Sequence, residues 1–146
     1  MTINDLYQEL IIDHGTQPRN CQLLPKATSS AEGHNPLCGD QLHLYLNIVE
    51  QQIAAISFQG QGCVISMAST SLMTELLKGK TVQEAQQLCD QFQQLMTSDT
   101  LCPSSLGKLT ALSGVRAYPT RIKCATLAWH VLQAALKQDK SKVSTE

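Results

Sequence analysis

Residues 41–76 read QLHLYLNIVEQQIAAISFQGQGCVISMASTSLMTEL, and a change of period within them decides the fold. Leu42, Leu44, Leu46 and Ile48 alternate with Gln41, His43, Tyr45 and Asn47. Successive side chains of a strand point to opposite faces, so this pattern predicts a strand with one buried face. A polar turn at Glu50-Gln51-Gln52 follows, and Ala54, Ile56 and Phe58 alternate again, which completes a hairpin. Gly60-Gln61-Gly62 is expected to break the second strand. Beyond it the spacing turns helical: Ile65, Ala68, Leu72 and Leu76 form one stripe that ends at Gly79. The hairpin therefore has an apolar face for helices to cover.

The flanking segments supply those helices. Residues 3–15 place Ile3, Leu6, Tyr7, Leu10 and Ile11 at amphipathic helical spacing, and Pro18-Arg19-Asn20 ends the run. Residues 26–32 alternate weakly, with Ala27, Ser29 and Ala31 on one side, and are expected to form an edge strand. Thr81 and Glu84 make a capping box that opens a helix through Val82, Ala85, Cys89, Phe92 and Met96. Residues 98–105 read as a loop carrying Cys102-Pro103, and 106–112 as a short helix stopped by Ser113-Gly114. Pro119 suits the first turn of a last helix, whose stripe is Ile122, Ala125, Trp129, Leu132 and Leu136. The polar tail is expected to be disordered from about residue 138. The sum is one α+β domain over residues 1–146, a small three-stranded antiparallel sheet with helices packed on it.

Composition limits the chemistry. Apolar residues at 42% and charged residues at 16% exclude wholesale disorder, and only 4% aromatics make the core aliphatic. With 11 basic and 12 acidic side chains the chain has no cationic face for nucleic acid or an anionic membrane. No window approaches the roughly 20 apolar residues of a membrane span. Met1-Thr2-Ile3-Asn4-Asp5 does not begin a secretory signal, so a cytoplasmic location is expected. Six cysteines in such a chain read as reduced thiols rather than three disulfides. No Cys-x-x-Cys pair occurs, so a metal or redox site must be assembled from distant segments.

Cys38, Cys63 and Cys124 share a position that the other cysteines lack, at or near the start of an element. Cys38 lies in Asn35-Pro36-Leu37-Cys38-Gly39-Asp40, where Gly39 lets Cys38 and Asp40 aim at one centre from a single turn. Cys63 opens a helix, where peptide dipoles favour a thiolate, and Cys124 is flanked by Arg121 and Lys123. Three thiolates and the Asp40 carboxylate would complete a tetrahedral shell. Taken singly, each thiol also fits a small buried hydrophobe, and Asp40 a turn-former. Cys89 falls on a helical apolar stripe and reads as core, whereas Cys21 and Cys102 receive no role. His14 reads as a hydrogen-bonded structural residue, His43 and His130 as exposed, Trp129 as core. His34 is near enough in sequence to support the Cys38 turn.

The chain resembles the SufU branch of the NifU N-terminal/IscU-like family of iron–sulfur cluster biogenesis. The matching stretches are Leu6-Tyr7 through Asp13-His14 to Pro18-Arg19-Asn20, then Asn35 to Asp40, Gly60 to Ser69 and Arg121 to Trp129, so the likeness spans about residues 3–136. It implies the same sheet-and-helix fold, and zinc held by Cys38, Asp40, Cys63 and Cys124. It also implies a sulfurtransferase role in which Cys38 accepts persulfide sulfur from a SufS-type cysteine desulfurase, supported by Arg121, for downstream Suf cluster-assembly proteins. In the mechanism it implies, a desulfurase histidine displaces the first cysteine from zinc.

IscU-type members instead hold iron, as a two-iron, two-sulfur cluster. They carry a histidine where this chain has Lys123, and a Leu-Pro-Pro-Val-Lys motif where it reads Ala117-Tyr118-Pro119-Thr120-Arg121. Those departures, with the 60 residues between Cys63 and Cys124, favour sulfur relay over cluster scaffolding. Two further rivals are a module that activates a desulfurase without carrying sulfur and a cysteine hydrolase, for which no base is nominated.

Overall fold

A computed structural model describes residues 3–36, 38–97, 104–137 and 143–144. Cys102 and most of the tail from residue 138 lie outside them. The elements run α1 (Ile3–Thr16), β1 (Ser29–Asn35), β2 (Asp40–Val49), β3 (Gln52–Gln61), α2 (Val64–Leu77), α3 (Val82–Thr97), a 3₁₀ segment (Ser104–Ala117), α4 (Pro119–Leu136) and β4 (Val143–Ser144). The antiparallel strands β1, β2 and β3 are the expected sheet, and the two residues of β4 pair in parallel with β1 at its edge, giving the order β3-β2-β1-β4. Helix α4 packs on β1 and β2, α2 on β3, and α1 on α2. The face between sheet and helices is filled by Leu44, Leu46, Ile53, Phe58, Leu77 and Leu132, all fully buried. Phe92 stacks on Trp129 with ring centroids 4.8 Å apart, which joins α3 to α4. Among the described residues no helix is long and apolar enough to cross a membrane.

Several expectations shift. Strand β1 covers Ser29–Asn35 rather than 26–32, because its backbone pairs with β2 from Ser29↔Leu46 to Asn35↔Asp40. Gly60 and Gln61 do not break β3; they pair with Leu42 and Gln41. Gly60 is needed there because a Cβ would run into the Gln41 carbonyl oxygen. Strand β3 also starts earlier, at Gln52, since Ile53 N–H donates to Lys80 O and Gln52 Nε2 to Gly79 O, anchoring it to the α2–α3 connection. The intervening turn holds Glu50 and Gln51 at φ 51° and 65°, the left-handed pair of a tight hairpin. The short helix expected at 106–112 is 3₁₀ and continues through Ser113-Gly114, with its break at Gly107 (φ 54°) instead.

The capping box forms as the sequence suggests: Glu84 N–H donates to Thr81 Oγ1, and Thr81 N–H to Glu84 Oε1, each at 3.1 Å. His14 is buried, with Ser71 Oγ 2.8 Å from Nδ1 and Glu75 3.5 Å from Nε2. Ser71 Oγ also accepts the Arg19 N–H, so this one hydroxyl ties His14 of α1 and the Arg19 backbone to α2. His43 and His130 are half-buried rather than exposed. His43 stacks on Tyr45 and pairs with Glu32, while the packing around His130 depresses its pKa by desolvation.

Candidate metal centre

The pairing of Asn35 with Asp40 closes the β1–β2 hairpin and turns the chain over residues 36–39. Gly39 takes φ 70° within that turn, a conformation that costs glycine nothing, and the Cys38 N–H donates to Asn35 O at 3.3 Å. Cys38 and Asp40 are thereby carried to the end of the sheet that the first turns of α2 and α4 approach. Cys38, Asp40 and Cys124 place a sulfur, an oxygen and a sulfur all within 4.8 Å of one another. Three of the four predicted ligands thus converge, although 86 positions separate the two sulfurs in sequence.

Cys63 reaches Cys124 but lies outside the set whose donors are all within 4.8 Å of one another. It is the N-cap of α2, and its sulfur also accepts the Ser66 N–H at 3.5 Å. Its backbone N–H donates to Asp40 Oδ1 at 2.8 Å, so the α2 N-terminus is nonetheless fastened to the carboxylate. Gly62 makes that approach possible, since a Cβ there would collide with the Asp40 side chain.

Burial grades the three gathered groups. Asp40 and Cys124 are wholly buried, and Cys38 is half-exposed. Burial pushes the Cys124 thiol well above the usual cysteine range, reinforced by hydrogen bonds with Cys38, Asp40 and Cys63. Without a cation it therefore stays protonated and donates to Cys38 Sγ, 3.1 Å away. Arg121, exposed at the start of α4, directs Nη1 at Cys38 Sγ at 3.6 Å. Contact with Cys124 first, and with the charges of Cys63 and Cys38, raises the Arg121 pKa further. The guanidinium thus faces the sulfur that the resemblance makes the acceptor, and no ion pair between Arg121 and Asp40 forms among the described residues.

The donor set fits a soft or borderline divalent ion. Thiolates select zinc or iron–sulfur chemistry over magnesium or calcium, and Asp40 is a buried carboxylate to which no cationic side chain pairs among the described residues. One contributor was absent from the predicted set. Asn35 is fully buried, and its Nδ2 lies 3.3 Å from Asp40 Oδ2 and 3.4 Å from Cys124 Sγ. Hairpin register could have pointed to it, because a residue opposite a predicted ligand shares its face. His34, the expected neighbour of the site, alternates to the other face of β1, and its buried Nδ1 finds no hydrogen-bond partner among the described residues.

Of the remaining cysteines, Cys89 is core, as expected. Its Sγ lies 3.6 Å from Trp129 O, and burial pushes its pKa up to about 12. Cys21 is exposed and away from the trio.

Residues 6–146 match the NifU-like N-terminal domain family. The chain is 37% identical over 137 residues to the iron–sulfur cluster assembly scaffold protein IscU of Streptococcus pyogenes serotype M1, covering 93% of this chain and 86% of that one. It is 36% identical over 139 residues to the zinc-dependent sulfurtransferase SufU of Bacillus subtilis, covering 94% of each. Among solved structures, a candidate scaffold protein for iron–sulfur cluster assembly in the SUF system of Fervidobacterium islandicum superposes with a TM-score of 0.85. It is 33% identical and is matched over 92% of this chain and 99% of its own.

Proposed function

Because the chain belongs to the NifU-like N-terminal family of iron–sulfur cluster assembly proteins, we propose that it is a zinc-dependent sulfur acceptor serving a cysteine desulfurase. The observation that carries this reading is the asymmetry of the cluster. Cys38 alone of the trio is solvent-accessible, it rides on a glycine-containing turn rather than a helix, and a guanidinium faces its sulfur. Cys38, Asp40 and Cys124 would hold the ion, with Cys63 completing the shell by giving up its capping bond to Ser66. Zinc bound there keeps thiols deprotonated near neutral pH.

The chain's own residues then perform the transfer. The Cys38 thiolate attacks the terminal sulfur of the desulfurase persulfide. A bond forms between Cys38 Sγ and that sulfur, and the partner's sulfur–sulfur bond breaks. The partner's cysteine departs as a thiolate, so one sulfur changes hands with no net oxidation. Arg121 steadies the anionic sulfur before and after the exchange.

Persulfide trapping tests this. With a desulfurase and cysteine present, mass spectrometry should find one extra sulfur on the Cys38 peptide of the wild type and none on Cys38→Ser. Cys38→Ser accepting sulfur at the wild-type rate would refute the assignment. The relative named IscU supports a second reading, in which the same ligands cradle a nascent cluster as cargo. Metal and sulfide analysis of protein purified without oxygen separates the two, colourless zinc against a brown, sulfide-containing product.

A further inference from the structure

Asn35 does something at the centre that turn formation does not require. Its main chain already makes the turn, through the bond from the Cys38 N–H to its carbonyl oxygen. Its side chain is separately committed. The Nδ2 group lies within hydrogen-bonding distance of both Asp40 Oδ2 and Cys124 Sγ, and the whole residue is inaccessible to solvent. The Oδ1 atom, by contrast, is buried with no hydrogen-bond partner among the described residues. A buried amide that leaves its acceptor unsatisfied is unfavourable by itself, so the amide orientation is set by what Nδ2 faces. Turning it over would aim a carbonyl oxygen at a carboxylate and a sulfur, acceptor against acceptor.

We infer that Asn35 is a positioning residue that fixes Asp40 and Cys124 in place and so, within the trio, leaves Cys38 as the ligand free to react. The inference rests on the metal-site reading above and deepens it. One neutral amide can donate to two anionic ligands at once without adding charge to the site. The two donor contacts pin the orientations of Asp40 and Cys124, as amide and carboxylate partners do for metal ligands generally. Cys38 receives nothing from Asn35. The guanidinium that faces it belongs to Arg121, an exposed side chain. Within the trio, the order of lability is thus written by which ligands the amide touches.

The experiment loads wild type, Asn35→Leu and Asn35→Ser with zinc alone, measures affinity by chelator competition, and maps alkylation rates of individual cysteines by mass spectrometry. Leucine keeps the volume and removes the donors; serine is the smaller replacement should leucine disturb folding. In the wild type Cys38 should alkylate well before Cys124. In the variants zinc affinity should fall about 10–100-fold, the usual effect of removing a ligand's supporting partner. The preference for Cys38 over Cys124 should shrink by about tenfold, as expected on losing a hydrogen bond to a charged sulfur.

Variants with wild-type affinity and wild-type alkylation order overturn the inference. So does a lowered melting temperature with the order unchanged, because that marks a purely structural residue. Wild-type protein that takes up no zinc sinks the metal reading and this inference together, whereas normal uptake with unaltered variants sinks this inference alone.

Discussion

Replacing Gly62 by alanine should damage the centre without touching any ligand. The added Cβ would collide with Asp40 Oδ1 and lie only 3.0 Å from its Cγ and 3.1 Å from its Cα. Asp40 is wholly buried, so its carboxyl has no open space into which to retreat. Relief therefore requires the Gly62–Cys63 backbone to move away, which stretches the 2.8 Å bond from the Cys63 N–H to Asp40 Oδ1. A hydrogen bond to a charged group contributes about 1.5–3 kcal/mol. Overpacking typically adds about 1–3 kcal/mol, for a joint loss of about 2.5–6 kcal/mol in the metal-free protein. At about 2–4 °C per kcal/mol for a domain of this size, the melting temperature should fall by about 5–24 °C.

Gly114→Ala is the internal control. A Cβ there meets nothing within 4 Å, so the change should stay within about 1 kcal/mol of the wild type. Thermal melting by circular dichroism of the metal-free proteins reads both, and zinc titration of the same samples should show Gly62→Ala weakened and Gly114→Ala unchanged. Gly62→Ala melting within about 2 °C of the wild type, with undiminished zinc affinity, would refute the picture of an α2 N-terminus clamped onto Asp40.

Stability should also depend on pH through His14. Burial, then the Arg19 charge, lowers its pKa below 6.5, and the packing around His130 acts in the same direction. The unfolded chain takes up a proton below 6.5 that folded His14 refuses, so this contribution is complete above 6.5 and is lost as pH falls from there toward the depressed folded value. Urea midpoints measured across that range should drop on acidification and drop less in His14→Gln; a flat wild-type profile would contradict the buried, neutral imidazole. Cys89, with its pKa pushed up to about 12, should resist alkylation in the folded protein. Cys89→Ala should leave zinc stoichiometry intact while costing about 1 kcal/mol of stability, readable from denaturant melts.

Local pattern carried most of the architecture. The alternation over Gln41–Ile48, the capping box at Thr81 and Glu84, and Pro119 at the head of α4 are decided by neighbours within a few residues, and each sits in the structure as its sequence suggests. The misjudged strand boundaries share one cause. Gly60-Gln61 reads as a break only until β2 lies alongside, when Gly60 becomes the residue that admits a close backbone. Likewise β1 takes its limits from pairing with β2 rather than from its weak alternation. Glycine's lack of a side chain fits both a turn and a tight strand crossing, and only the partner chooses.

At the site, spacing and residue type nominated Cys38, Asp40, Cys63 and Cys124, because thiols and a carboxylate at element starts are chemically conspicuous wherever they fall. Three finer features were decided only in space. The Cys63 sulfur caps α2 through Ser66 while reaching Cys124, the Arg121 guanidinium faces the Cys38 sulfur, and the Asn35 amide reaches two ligands at once. Each depends on the direction of a side chain across an element boundary. Such directions are set when sheet and helices pack, so composition and spacing identify the donors while tertiary contact assigns each donor its neighbour.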